Sequence, residues 1–233
     1  VPEAMIRYTA LEAGDSDMAL DAPPQNAAAI RANPQLTLRS RIRKGNPARS
    51  ITFNVERVPF DDVRVRQAMA KAIDRDGLAW ISGFGEFLAK GDYLAVNTPG
   101  YDPVAQDALA FDPAAANRLL DAAGWTERAA DGVRMRNGQR LQATLLTYDN
   151  PAFPANVAVA VQADLRKIGF AMAIEVLPLT RVMQLRYAGE FDAIGGGYWH
   201  TNTADGLYIL YHSNAIPSAR LIGQNVGHFR DAQ

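Results

Sequence analysis

The residues best placed to do chemistry lie in one run, Gly195-Gly196-Gly197-Tyr198-Trp199-His200, followed by Tyr208 and Tyr211. Three glycines at the end of an extended segment let a backbone approach closely, either a neighbouring strand or a ligand. Aromatic rings beside such a run can wall a pocket while the backbone supplies hydrogen bonds. A core-and-loop role fits the same residues. The histidines, His200, His212 and His228, include no pair at the helical spacing of four used by simple metal sites. Surface or locally bonded imidazoles are the favoured reading. Asp61 and Asp62 stand before an apolar helical face, so helix capping outweighs acid/base work. Arg64 and Arg66 then fall on solvated or interface faces of that helix.

Enzyme signatures are sparse. The sequence contains no phosphate loop ending in Gly-Lys-Ser/Thr and no serine elbow between glycines. Gly83-Phe84-Gly85 lacks the third glycine and the preceding strand of a dinucleotide site. With no cysteine, disulfides, thiol nucleophiles and Cys-ligated metal centres are excluded. Lys plus Arg number 24 against 25 Asp plus Glu, a net charge of −1, so the basic excess of a nucleic-acid partner is missing. At 233 residues, 48% hydrophobic and 21% charged, the chain has ordinary globular composition and length for a sizeable core. No apolar run approaches the ~18 residues of a membrane span. Val1-Pro2-Glu3 and Asp231-Ala232-Gln233 read as the raw ends of a piece of a longer protein.

The positioning elements follow from punctuation and period. Residues 4–14 predict a short helix stopped by Gly14, and Gln25–Ala32 a second one ended by Asn33-Pro34. Leu36–Ile42 alternates like a strand, and Ile51–Val55 is a second strand. A helix opens after Asp61-Asp62, with Val65, Ala68, Met69, Ala72 and Ile73 on one face. Residues 82–110 read as a long, organised loop. Asp112-Pro113 starts a helix that Gly124 stops. Asp131-Gly132 and Asn137-Gly138 mark hairpin turns. From residue 141 the pattern is strand, helix (154–168), strand (170–176), a helix capped by Thr180 and running to Ala188, then an extended run from Phe191 to Trp199. Such alternation predicts an α/β fold of crossover units, a mixed sheet with flanking helices.

Several segments in order resemble the family 5 extracellular solute-binding proteins of ABC importers, the oligopeptide, dipeptide and nickel group. Residues 54–75, NVERVPFDDVRVRQAMAKAIDR, are the most specific. FDPAAANRLLDAAGW (111–125), Val161–Val176, Ala188-Gly189-Glu190-Phe191-Asp192 and Ala10–Asp17 are similar to further family segments.

The resemblance implies a binding protein rather than an enzyme, with no cofactor. Residues 1–50 would be a lead-in. Residues 51–233 would form most of the C-terminal lobe of a two-lobe, type II-like periplasmic binding protein, the N-terminal lobe being outside this chain. It also implies export to the periplasm or cell exterior, with or without a lipid anchor. The implied partners are a peptide-like or other polar organic solute and a membrane ABC permease, the receptor acting as a monomer. Ligand contacts would fall on Tyr198, Trp199, His200, Asn202, Asp205 and Arg186. In peptide-binding members an Asp shortly after the Trp pairs with the peptide's amino terminus. Here that place is Thr201 or Asn202, both neutral, and Asp205 is the nearest substitute. A nickel or metal-chelate receptor of the same family is the alternative, requiring a histidine in the cleft. An enzyme or chaperone-like protein on this scaffold is the remaining class.

Overall fold

The computed structural model describes residues 3–40, 49–87, 99–102, 104, 108–149, 153–197, 205–218 and 223–230. Helix α1 (Ala4–Glu12) ends before Gly14, whose φ of +79° suits a residue without Cβ. A 3-10 turn (Pro24–Asn26) leads into α2 (Ala27–Ala32), which stops at Asn33. The strand expected over Leu36–Ile42 is not formed in its described part, residues 36–40. Leu36 and Leu38 are half-buried, but no described strand pairs with them. Alternation alone cannot supply a ladder.

Strand β1 (Arg49–Phe53) precedes α3 (Val63–Ala72), whose cap is Asp62: its side chain accepts from the Arg64 amide. Val65, Ala68, Met69 and Ala72 are buried, as the period of the sequence requires. Arg66 turns inward to donate to Phe60 O and Asp61 O, and burial lowers its pKa. The expected loop from residue 82 begins later than its sequence suggests. Helix α4 (Arg75–Gly83), capped by Asp74 on the Gly77 amide, fills the stretch before it. Trp80 on its surface is exposed, and Gly77 lies in its first turn. A bidentate pair from Arg31 to Glu86, 2.6 and 2.8 Å, ties α2 to the turn after α4.

Helix α5 (Pro113–Ala122) is capped by Asp112 and closed by Gly124 at φ +87°. A small antiparallel sheet follows, β2 (Glu127–Arg128), β3 (Arg134–Arg136) and β4 (Gln139–Arg140), turning at the two expected Xaa-Gly pairs. The main sheet then builds from β5 (Gln142–Thr147), α6 (Ala155–Lys167), β6 (Ala171–Val176), α7 (Leu179–Ala188) and β7 (Ala193–Gly197). Pro178, not Thr180, sits at the N-cap of α7, and no side chain caps it. Last come α8 (Asp205–Tyr211) and a 3-10 turn (Ser213–Ala215).

The strand order is β1-β7-β5-β6, with β5 parallel to both neighbours and β1 antiparallel to β7. Each face has its own core. Ala143, Leu145, Met172 and Ala193 join α3, α5 and α6, with Trp125, Phe60 and Phe170 among the fully buried rings. Leu146 and Ile194 face the other way, against Val182 of α7, Phe191 and Val226. The mixed α/β architecture expected from the sequence is therefore formed, with helices on both faces of the sheet.

Candidate functional site

The chain leaves β5 through α6 to β6 on one side. It then returns through α7 to β7 on the opposite side of β5. That reversal creates a switch point at the carboxyl ends of β5 and β7. In open α/β sheets the diverging connections there leave a crevice for ligands.

The glycines at this point are not equivalent. Leu146 pairs with Ile194, so two residues further along each strand Tyr148 and Gly196 come level on the α7 face. Gly195 faces the other side, where a Cβ would lie 2.6 Å from the buried Phe153 ring. Its missing side chain makes room for core packing, the neighbour-approach reading of the sequence. Gly196 is different: no described atom lies within 4 Å of a Cβ built there. On its other flank Ser50 is its ladder partner, with Oγ donating to Gly196 O at 3.4 Å. Across three adjacent strands the α7 face thus ends in a hydroxyl, a bare backbone and a half-buried phenol. Peptide groups, hydroxyls and a ring can hold a polar organic solute by hydrogen bonds and stacking.

Tyr198, Trp199, His200 and Asn202, with Thr201, follow β7 directly and lie outside the described residues. Asp205 is the exposed first residue of α8. Arg186 is in the last turn of α7, the end that leads into the amino end of β7. Its Nη2 meets Gln224 Oε1 at 3.3 Å. The structure therefore does not bring Arg186 to the carboxyl ends. Tyr208 stacks on His212 with centroids 4.3 Å apart, and Tyr211 meets Phe229 edge-on at 6.1 Å. His212 Nδ1 accepts from the Asn214 amide. Among the described residues no cluster of His, Asp and Glu could hold a metal ion.

Sequence reasoning missed the strap formed by residues 223–230, which has no period to read. Gly227 O accepts from Val55 N, and Gly227 passes so close to Phe53 O that a Cβ would sit 2.7 Å away. His228, at φ +58°, lays its ring over Gly189 and brings Nδ1 to Glu56 Oε2 at 2.7 Å. Arg230 reaches the other carboxylate oxygen at 3.4 Å. The His228 hydrogen bond is the main cause holding the Glu56 carboxyl below its ordinary range. Partial desolvation opposes it, and Arg230 helps. A carboxyl depressed in the folded state adds stability above its unfolded pKa, and that stability fades as pH falls through the folded value. Glu56→Gln should therefore cost stability at neutral pH. The gap to the parent sequence should close below about pH 4 in thermal melts. A gap that does not change with pH would contradict the pairing.

The model of the family described as bacterial extracellular solute-binding proteins, family 5 Middle, matches residues 1–217. The nickel-binding periplasmic protein of Escherichia coli (strain K12) is 27% identical over 203 residues, covering 85% of this chain and 38% of that protein. Di/tripeptide-binding protein 3 of Pseudomonas aeruginosa (strain UCBPP-PA14) is 29% identical over 237 residues, 99% of this chain and 40% of that one. Among solved structures, NikA from Brucella suis in complex with Fe(III)-EDTA superposes with a TM-score of 0.73 at 28% identity, covering 86% of this chain and 41% of NikA. The chain thus spans about two fifths of the length of these relatives. Among the described residues, no helix is long and apolar enough to cross a membrane.

Proposed function

Because the chain belongs to the family 5 bacterial extracellular solute-binding proteins, we propose that it is the C-terminal lobe of the receptor of an ABC importer. The lobe captures a peptide-like or other polar organic solute, and the monomeric receptor delivers it to a membrane permease from outside the cytoplasmic membrane. Residues 51–233 carry this lobe, and 1–50 lead into it. The observation that carries the reading is the switch point, where Gly196 leaves bare backbone at the carboxyl end of β7 beside Tyr148. Tyr198, Trp199, His200 and Asn202, next in the sequence, are the solute contacts of this reading. Asp205 supplies the carboxylate for an amino terminus that the neutral Thr201 and Asn202 cannot pair.

A solute shifts a two-lobe receptor toward closure only through its differential contacts with both lobes. Catalysis has no part in this reading. A metal-chelate solute is the second reading, favoured by the nickel-binding relative and by the Fe(III)-EDTA complex of NikA. His200 is then the imidazole closest in sequence to the site.

Native mass spectrometry of the full-length parent, before and after denaturation, tests the two. A released ladder of peptide masses supports peptide capture, and a metal-containing mass supports the second reading. Turnover of a solute would overturn both. In the same protein Trp199→Ala and Tyr198→Ala should each weaken capture about tenfold or more with the melting temperature held. Unchanged affinity in both variants would remove these residues from the site.

A further inference from the structure

Helix α8 is poorly held by its own packing. Only Gly206 and Leu210 are buried, while Leu207, Tyr208, Ile209 and Tyr211 are all exposed large side chains. Its main partner among the described elements is the 3-10 turn that follows it. Among the described residues the strap holds its carboxyl end, and within the strap one side chain makes most of the polar contacts.

Asn225 is 1% exposed, and its carboxamide is used on both ends. Nδ2 donates to His212 O at 3.1 Å and to Phe229 O at 2.8 Å, and Oδ1 accepts from Phe229 N at 3.0 Å. Its own amide donates to Ala215 O at 3.0 Å. His212 is the residue after α8, and its amide closes the helix on Tyr208 O. The strap in turn is fastened to the sheet through Val55 N to Gly227 O, the Glu56 pairs with His228 and Arg230, and Val226 in the second core. Among the described residues a route from sheet to α8 therefore runs through Asn225, with the Tyr211–Phe229 ring contact beside it.

We infer that Asn225 is a positioning residue of the solute site: by fixing the carboxyl end of α8 it fixes Asp205 at the other end. A seven-residue helix is about 10 Å long and moves as a rod, so a displaced last turn displaces its head. Removing the carboxamide leaves two carbonyls and an amide in a part-buried place without their partner, and water repairs them more readily once the contact is released. The inference rests on the proposed solute role of Asp205, whereas the anchoring of α8 does not.

The experiment uses the full-length parent and its Asn225→Ala variant, with Phe229→Ala as a second variant that leaves the carboxamide in place. Amide hydrogen exchange is followed in α8 and, as an internal reference, in β5 and β7. Trialanine is the binding probe. The expected result is faster exchange confined to residues 206–212, with trialanine affinity about tenfold weaker in Asn225→Ala. Unchanged exchange in α8, or a loss spread equally over β5 and β7, would overturn the inference. So would a loosened α8 with unchanged affinity. A parent that ignores trialanine overturns the peptide reading and with it the positioning role of Asn225, while unchanged exchange in α8 of the variant overturns the anchoring itself.

Discussion

Arg134→Met will lower folding stability by about 3 kcal/mol, the scale set by removing one member of a buried, hydrogen-bonded charge network. The guanidinium is 4% exposed and spends its donors on four partners from three parts of the fold. Nε donates to Ile168 O at 2.9 Å, beyond the end of α6. Nη1 reaches Trp125 O and Asp121 Oδ1, both at 2.5 Å, and Nη2 reaches Asn117 Oδ1 at 2.8 Å. The small sheet, α5 and α6 are thereby joined at one cation. Methionine replaces the stem but not the donors, leaving the two backbone carbonyls unpaired beneath the hairpin. Asp121 is half-exposed and returns to water, which keeps the loss below that of a fully buried pair. Urea unfolding reads the difference directly. A loss under about 0.5 kcal/mol, the size of an ordinary surface substitution, would show that the network carries nothing.

That hub was invisible in the sequence for a physical reason. Arg134 stands in a polar hairpin between two Xaa-Gly turns, where an arginine normally faces water. Only the docking of Gly169 beneath it, where a Cβ would sit 2.8 Å from the Arg134 side chain, turns the hairpin's underside into an interior. Elements whose signals are local were legible. Asp112, Pro113 and Gly124 marked both ends of α5, and the alternation in 170–176 gave β6 with Met172 inward. Elements defined by distant partners were not. The alternation expected over Leu36–Ile42 pairs, in its described part, with no described strand, and α4 opens on Asp74 where no turn dipeptide marks a start. The strap is held by single contacts to distant residues, Val55 to Gly227 and Glu56 to His228, that no local period encodes. The site divides the same way. The glycine run announced a close approach, but which glycine serves packing depends on Phe153, a residue more than forty positions earlier.

The glycine run gives the second large effect. Gly195→Ala should cost about 2 kcal/mol, because its methyl group meets the buried Phe153 ring within the first core and the ring must shift to admit it. Gly196→Ala should fold as the parent sequence does, since no described atom opposes the new Cβ. In the full-length parent, Gly196→Leu should instead block the bare backbone beside Tyr148 and weaken solute capture about tenfold or more, with stability retained. The two neighbouring positions thus separate folding from binding. Equal stability losses at 195 and 196 would contradict the assignment of their faces. Full affinity in Gly196→Leu would take the solute away from this end of the sheet.

The central claim, that the solute lies at the carboxyl ends of β5 and β7, is tested most directly by amide exchange of the full-length parent. The measurement compares protein stripped of its solute with protein reloaded with the solute it released. The account predicts slowed exchange at Thr147, Tyr148, Gly196 and Gly197, and no change at Asn54, Gly189 and Asp192 at the opposite end of the same strands. Protection confined to that opposite end, where Arg186 meets Gln224, would contradict it.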